Sequence, residues 1–175
     1  MNGTGRNGTG HDPAGGPAVP IGAVPISARS RAAMTAEQAM ALLAGARKLQ
    51  LGTVNADGTP HLVTMYYVLL DGRIAFWTYR ASQKARNLER DPRLTVLVED
   101  GEEYFDLRGV QVSGIAHRVD DPAAVARIGG LIAAGLSGVP TQALDGYVEQ
   151  AARKRVGFLV EPVRITGWDH RSLVT

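Results

Sequence analysis

The chain is expected to be α+β, built mainly from antiparallel β-strands that curl into a small barrel with short helices inserted. Three observations lead there. Short apolar runs follow one another from Leu49 onward with turn signals between them. The first connections are too short to hold a crossover helix, so neighbouring strands must run antiparallel. Glycines at 109 and 114 interrupt a long alternating run, where a bulge or bend lets a sheet curl.

The first 29 residues are dominated by Gly, Pro, Ala, Thr and Asn and hold few large apolar side chains. Such a segment cannot offset its ordering entropy by burial, so residues 1–29 are expected to form a disordered tail and 30–175 the folded domain. Two Asn-Gly-Thr triplets, at Asn2 and Asn7, have the form of a glycosylation sequon. With no apolar signal segment around them, a low-complexity spacer is the simpler reading.

Thr35 suits an N-cap, and Ala36–Ala44 reads as an Ala-rich helix ending at Gly45. Leu49–Val54 is the first strand. Asp57-Gly58 makes a tight turn, because Gly tolerates positive φ, and leads into a second strand over His61–Leu70. Asp71-Gly72 turns the chain again into a third strand, Arg73–Thr78. A helix over Ser82–Arg90 stops before Asp91-Pro92, since proline disfavours helix in the residue preceding it. Leu94–Val98 is a fourth strand and Tyr104–Val119 a long fifth. Asp121-Pro122 opens a helix reaching about Ala134, and Gly135–Pro140 is a loop. Ala143–Arg153 is a further helix. Val156–Val160 and Val163–Trp168, joined at Glu161-Pro162, close the sheet.

Composition narrows the functions available. Nineteen Lys and Arg against seventeen Asp and Glu give a net charge of +2, and no run of like charge resembles a nucleic-acid arm. There is no cysteine, which removes disulfides, thiolate metal sites and thiol nucleophiles together. No apolar stretch approaches the roughly 20 residues of a membrane span. The expectation is a cytoplasmic protein that binds neither nucleic acid nor membrane. Four histidines lack ligand spacing, so no metal site is expected.

Chemistry concentrates at Thr78-Tyr79-Arg80-Ala81-Ser82-Gln83-Lys84. An aromatic strand runs into a serine at a helix start, with a lysine two residues on. Unpaired N–H groups at the helix N-terminus, a hydroxyl and a flexible cation suit a phosphate. Ser82 as a mere cap and Lys84 as a solvated helix residue is the plain alternative. Two features favour the binding reading. Arg80, Ser82, Lys84, Arg86 and Arg90 make the segment locally basic, and Phe76-Trp77-Thr78-Tyr79 offers a surface for a flat ring. Strand alternation puts His61, Val63, Met65 and Tyr67 on one face of the second strand, and Leu62, Thr64 and Tyr66 on the other. No nucleophile elbow, P-loop or dinucleotide-binding glycine pattern is present. A protein with walls and a phosphate clamp but no evident side-chain catalyst leaves the chemistry to a cofactor.

These residues resemble a known family. Leu51-Gly52-Thr53-Val54, Asp57-Gly58-Thr59-Pro60-His61, Asp71-Gly72-Arg73-Ile74 and Ser82-x-Lys84-x-x-Asn87-Leu88-x-x-Asp91-Pro92-Arg93 are similar to the pyridoxamine 5'-phosphate oxidase-like split β-barrel superfamily. Within it the chain most resembles the deazaflavin-dependent oxidoreductases, a likeness that Leu107-Arg108-Gly109-Val110 and the ending Trp168-Asp169-His170-Arg171 share. The resemblance implies a six- to seven-stranded split barrel, of the kind that binds FMN, forming a homodimer with cofactor in the clefts between subunits. It implies coenzyme F420 as cofactor, with FMN the alternative, and a small-molecule redox substrate. The cofactor-binding set it implies is His61, Val63, Thr64, Met65, Trp77, Thr78, Ser82, Lys84, Asn87 and Trp168. Ser82 and Lys84 would take the phosphate, the strand residues would line the ring, and the segment at Trp168 would approach from the partner subunit. No catalytic residue is assigned. An FMN enzyme of the same fold and a non-catalytic flavin- or tetrapyrrole-binding protein are the other readings.

Overall fold

The computed structural model describes residues 19–26, 32–136 and 141–174, with no side-chain description for 141–145. The sequons and His11 lie outside these residues, as does most of the expected loop at 137–140.

Seven strands form one antiparallel sheet: β1 (Lys48–Val54), β2 (Pro60–Tyr66), β3 (Val68–Leu70), β4 (Arg73–Tyr79), β5 (Arg93–Asp100), β6 (Arg108–Val119) and β7 (Arg155–Asp169), in the order β2-β1-β5-β6-β7-β4-β3. The run expected as one strand over His61–Leu70 is bent at Tyr67. Its first half pairs with β1 (Val63 opposite Leu51) and its second with β4 (Val68 opposite Ala75). One bent segment therefore supplies both edges of the sheet, and the sheet curls into a split barrel. Tyr67 pins the bend, its hydroxyl donating to the Leu43 carbonyl at 2.6 Å and its N–H to the Arg47 carbonyl at 3.2 Å.

Alternation decides what lies inside. Leu51, Val96, Val112 and Ile165 share one row across four strands and are all buried. The next row, Gly52, Thr95, Ser113 and Arg164, faces outward. Phe76 and Phe158 stack in the core with ring centres 5.3 Å apart. The two strands expected at the C-terminus are one, β7, with the register against β6 shifting between Ser113 and Gly114. A Cβ at Gly114 would overlap the Glu161 backbone, so close approach rather than flexibility requires the glycine. The fifth strand is shorter at its start than expected, because residues 102–106 form a turn in which the Glu103 N–H donates to Asp106.

Helix α1 (Ala36–Gly45) carries a capping box, Thr35 and Gln38 each accepting from the other's backbone N–H. It covers one end of the core with Ala39, Leu42 and Leu43. Helix α2 (Gln83–Arg90) closes the other end. Helices α3 (Pro122–Ala134) and α4 (Thr141–Ala152) pack together on the outside of β4, around Trp77, Val125, Ile128 and Val148. Residues 19–26 fall in the stretch expected to be disordered, yet they lie on the barrel. Ile21 is only 3% exposed and donates its N–H to Gly72, and Ile26 bridges to Ile165. Ile21 and Ile26 are large apolar residues, and burying such side chains offsets the ordering entropy of the segment that carries them.

Candidate functional site

The structure brings Thr78, Ser82 and Lys84 together where β4 gives way to α2. Ser82 is the N-cap: its extended backbone stops the helix running backward, and its Oγ accepts from the Ala85 N–H at 3.4 Å. Thr78, inward-facing on β4, holds that hydroxyl at 3.2 Å. The first four N–H groups of a helix have no acceptor within it. Two of them are met, that of Ala85 by Ser82 Oγ and that of Ser82 itself by the Tyr79 carbonyl at 3.0 Å, which leaves those of Gln83 and Lys84 at the helix end. Lys84 is half-buried, and burial pushes its ammonium below the ordinary lysine pKa. Among the described residues it has no carboxylate partner. A partly desolvated cation with no counter-charge among the described residues, at a helix end that keeps two N–H groups, is an arrangement with the chemistry to accept an anion.

Asn87 stands behind this end as a bracket. It is fully buried, its amide nitrogen donating to Thr53 Oγ1 at 3.0 Å and Asn55 Oδ1 at 2.9 Å, while its oxygen accepts from Gln83 at 2.9 Å. Its polar atoms are thus taken by the protein, and its part is to fasten α2 to the β1–β2 turn. Arg90 makes a second fastening to the Val54 carbonyl. A chain of ion pairs, Glu89 to Arg118 to Asp120 to Arg80, ties the flanks of α2 to the end of β6.

The remaining candidates divide by face. His61 lies opposite Thr53, and Val63 and Met65 follow on the same inward side, so this wall ends beside the Asn87 bracket. Thr64 points the other way, to the exposed outer face of β2. Trp77 and Thr78 sit on opposite faces of β4. Trp77 faces α3, so closely that a Cβ at Gly129 would overlap its ring. Trp168 lies on the outer face across Gly109, near the far end of β7 from Arg155, which pairs with Tyr79 beside the Ser82 turn. The intervening strand is roughly 40 Å long at about 3.3 Å per residue.

Sequence reasoning missed Arg155. Its guanidinium lies 4.2 Å from the Trp77 ring centre and 4.6 Å from that of Tyr79, and donates to the Tyr147 hydroxyl at 3.0 Å. The only local signal is the alternation of Trp77 and Tyr79; the pairing of β4 with β7 supplies the cation.

The sequence pattern of the pyridoxamine 5'-phosphate oxidase family matches residues 35–169, and the chain belongs to that family. Its fold is a flavin-binding one. Among solved structures, a conserved hypothetical protein of Mycobacterium tuberculosis, Rv2991, is similar at 38% identity and a TM-score of 0.78, over 85% of this chain and 93% of that one. An F420 reductase shares the fold at 24% identity and a TM-score of 0.54, over 71% of this chain and 93% of its own. So does the haem storage protein HutZ of Vibrio cholerae, at 16% identity and a TM-score of 0.60, over 77% and 96%. No curated protein matches the chain. None of the helices described is long and apolar enough to cross a membrane.

Proposed function

We propose that the protein is a cytoplasmic F420-dependent oxidoreductase, working as a homodimer on a small organic acceptor. The observation that carries this reading is Lys84, half-buried at the N-terminus of α2 and without a carboxylate partner among the described residues, near the Ser82 hydroxyl held by Thr78. Ser82, Lys84 and the helix N–H groups would hold the cofactor's phosphate. His61, Val63 and Met65 would form the wall for its ring. Bound and reduced, the deazaflavin supplies the hydride. The residues of this chain supply position, since fixing donor and acceptor in line can contribute several kcal/mol (about 7–11 in the best cases).

The dimer is favoured by the faces on which the candidates lie. Thr64 and Trp168 are both on the outer surface of the sheet, so neither meets its own chain's α2 site. That surface also exposes Leu62 at 70% and Tyr66 at 47%. A second copy packed there would cover these side chains and bring Trp168 toward the partner's cleft. The likeness to an F420 reductase supports the choice of cofactor, and the resemblance of Ser82-x-Lys84-x-x-Asn87 supports the phosphate contacts.

Native mass spectrometry of the purified protein, followed by titration with F420 and with FMN, tests the proposal. A dimer binding F420 more tightly than FMN and oxidising its reduced form with an organic acceptor is expected. Preference for FMN would transfer the reading to a flavin enzyme. Tight binding without turnover of any acceptor would point to a carrier. Leu62→Arg is expected to yield monomer, and a monomeric parent protein would overturn the shared cleft.

A further inference from the structure

Away from α2, a depression of about 350 Å3 lies at the β2–β3 bend, between the end of α1 and the end of α3. That volume falls within the range of small-molecule sites, about 300–1,000 Å3. Small residues keep it open: Ala44 and Ala46 on one side and Gly135 on the other. Its floor is rigid, because Tyr67 is hydrogen-bonded to both Leu43 and Arg47. Leu69, Ile132 and Leu131 make the walls apolar, and Leu131 stands 42% exposed at the mouth.

Arg47 is the one charged residue among the described residues of the lining. Its backbone carbonyl is held by Tyr67, while its guanidinium reaches the end of α3, with Nη1 3.8 Å from where a Cβ of Gly135 would stand. Among the described residues it has no carboxylate partner. A role as cap for α3 does not use up its donors. The Ile132 and Ala133 carbonyls already accept from the N–H groups of Gly135 and Leu136, at 3.1 and 2.9 Å. An apolar hollow with one uncompensated guanidinium at its rim is complementary to a molecule of matching polarity.

We propose that this depression binds an apolar molecule bearing a single negative charge, such as a medium-chain or aromatic carboxylate, with its body against Leu69, Leu131 and Ile132 and its anionic end on Arg47. The site is separate from the α2 clamp and does not depend on the identity of any cofactor.

Isothermal titration of the full chain, free of cofactor, with decanoate, decanol and decylammonium tests this. Decanoate is expected to bind saturably at one per chain, and more tightly than decanol. Arg47→Gln should weaken decanoate about five- to tenfold, the scale of one charge-assisted hydrogen bond at a partly exposed site, and leave decanol unchanged. Ala44→Trp, an exposed position at the mouth, should weaken both. Several results overturn the proposal: no saturation, equal binding of the acid and the alcohol, or an Arg47→Gln protein that melts earlier yet binds decanoate as before. So does a finding that a second copy covers this face and decanoate cannot enter the dimer. Loss of F420 binding with decanoate binding intact would sink the α2 reading alone.

Discussion

Replacing Lys84 with alanine probes the α2 site most directly, because it should act on binding and on folding in opposite senses. In the folded protein Lys84 is half-buried and its pKa is pushed down by desolvation. The folded state therefore holds its proton less tightly than the unfolded chain does. Between the lowered pKa and the ordinary lysine value the unfolded state binds more protons, so this group's contribution makes stability rise with pH. At neutral pH the charged side chain is a small burden on the fold. Lys84→Ala should leave the melting temperature unchanged or slightly raised, while Lys84→Met, which keeps the stem, should match it. Binding should go the other way. Losing one charge-assisted hydrogen bond to phosphate costs at least about 1.5 kcal/mol, or roughly tenfold in affinity. Fluorescence titration with F420 measures the loss, and carbon-detected NMR of the lysine side chain should show the Lys84 pKa rising when the anion binds. Unchanged affinity in Lys84→Ala, together with a fall in its melting temperature, would refute the assignment and make the lysine structural.

Asn87→Ala should cost about 2–3 kcal/mol, because it orphans the buried Thr53 hydroxyl and frees α2 from the β1–β2 turn. Calorimetry should record a fall of roughly 5–10 °C for a chain of this size. Adjacent glycines in α3 should respond in opposite ways to a side chain. Gly129→Val overlaps the Trp77 ring and should destabilise by about 1–3 kcal/mol, whereas Gly130→Ala meets nothing within 4 Å and should stabilise by up to about 1 kcal/mol; urea unfolding of the two variants compares them. Asp57, Asp91, Asp100, Asp120 and Asp169 all have lowered pKa values, Asp91 to about 2 through the hydrogen bonds from Arg93. Their folded-state pKa values lie below the unfolded value, so their stabilisation is present above pH 3.8 and is lost as pH falls below it, for Asp91 down to about 2. Melting temperatures taken between pH 5 and 2 should drop most steeply below pH 3.8, and a flat profile would contradict the hydrogen bonds and ion pairs assigned to these carboxylates, Thr59 to Asp57 among them.

The sequence carried the local decisions. Ser82 capping a helix, Asp57-Gly58 turning a hairpin and Pro92 ending α2 each follow from the backbone preferences of one or two residues, so they read without the rest of the chain. Alternation also placed His61, Val63 and Met65 on one side of β2 and Thr64 on the other. What it left open was which side is the interior, because that is fixed by partners dozens of residues away. Only the pairing of β4 with β7 turns Trp77 toward α3 and sets Arg155 over its ring. Only the fold shows that Asn87 spends its amide on Thr53, Asn55 and Gln83, and that Trp168 lies at the far end of β7. The same holds for Ile21, an isolated apolar residue in a glycine-rich stretch, which finds its place against the barrel. Local chemistry is written in neighbouring residues; desolvation, partnering and sidedness arise from contacts distant in sequence, and these determine which side chains remain available to a ligand.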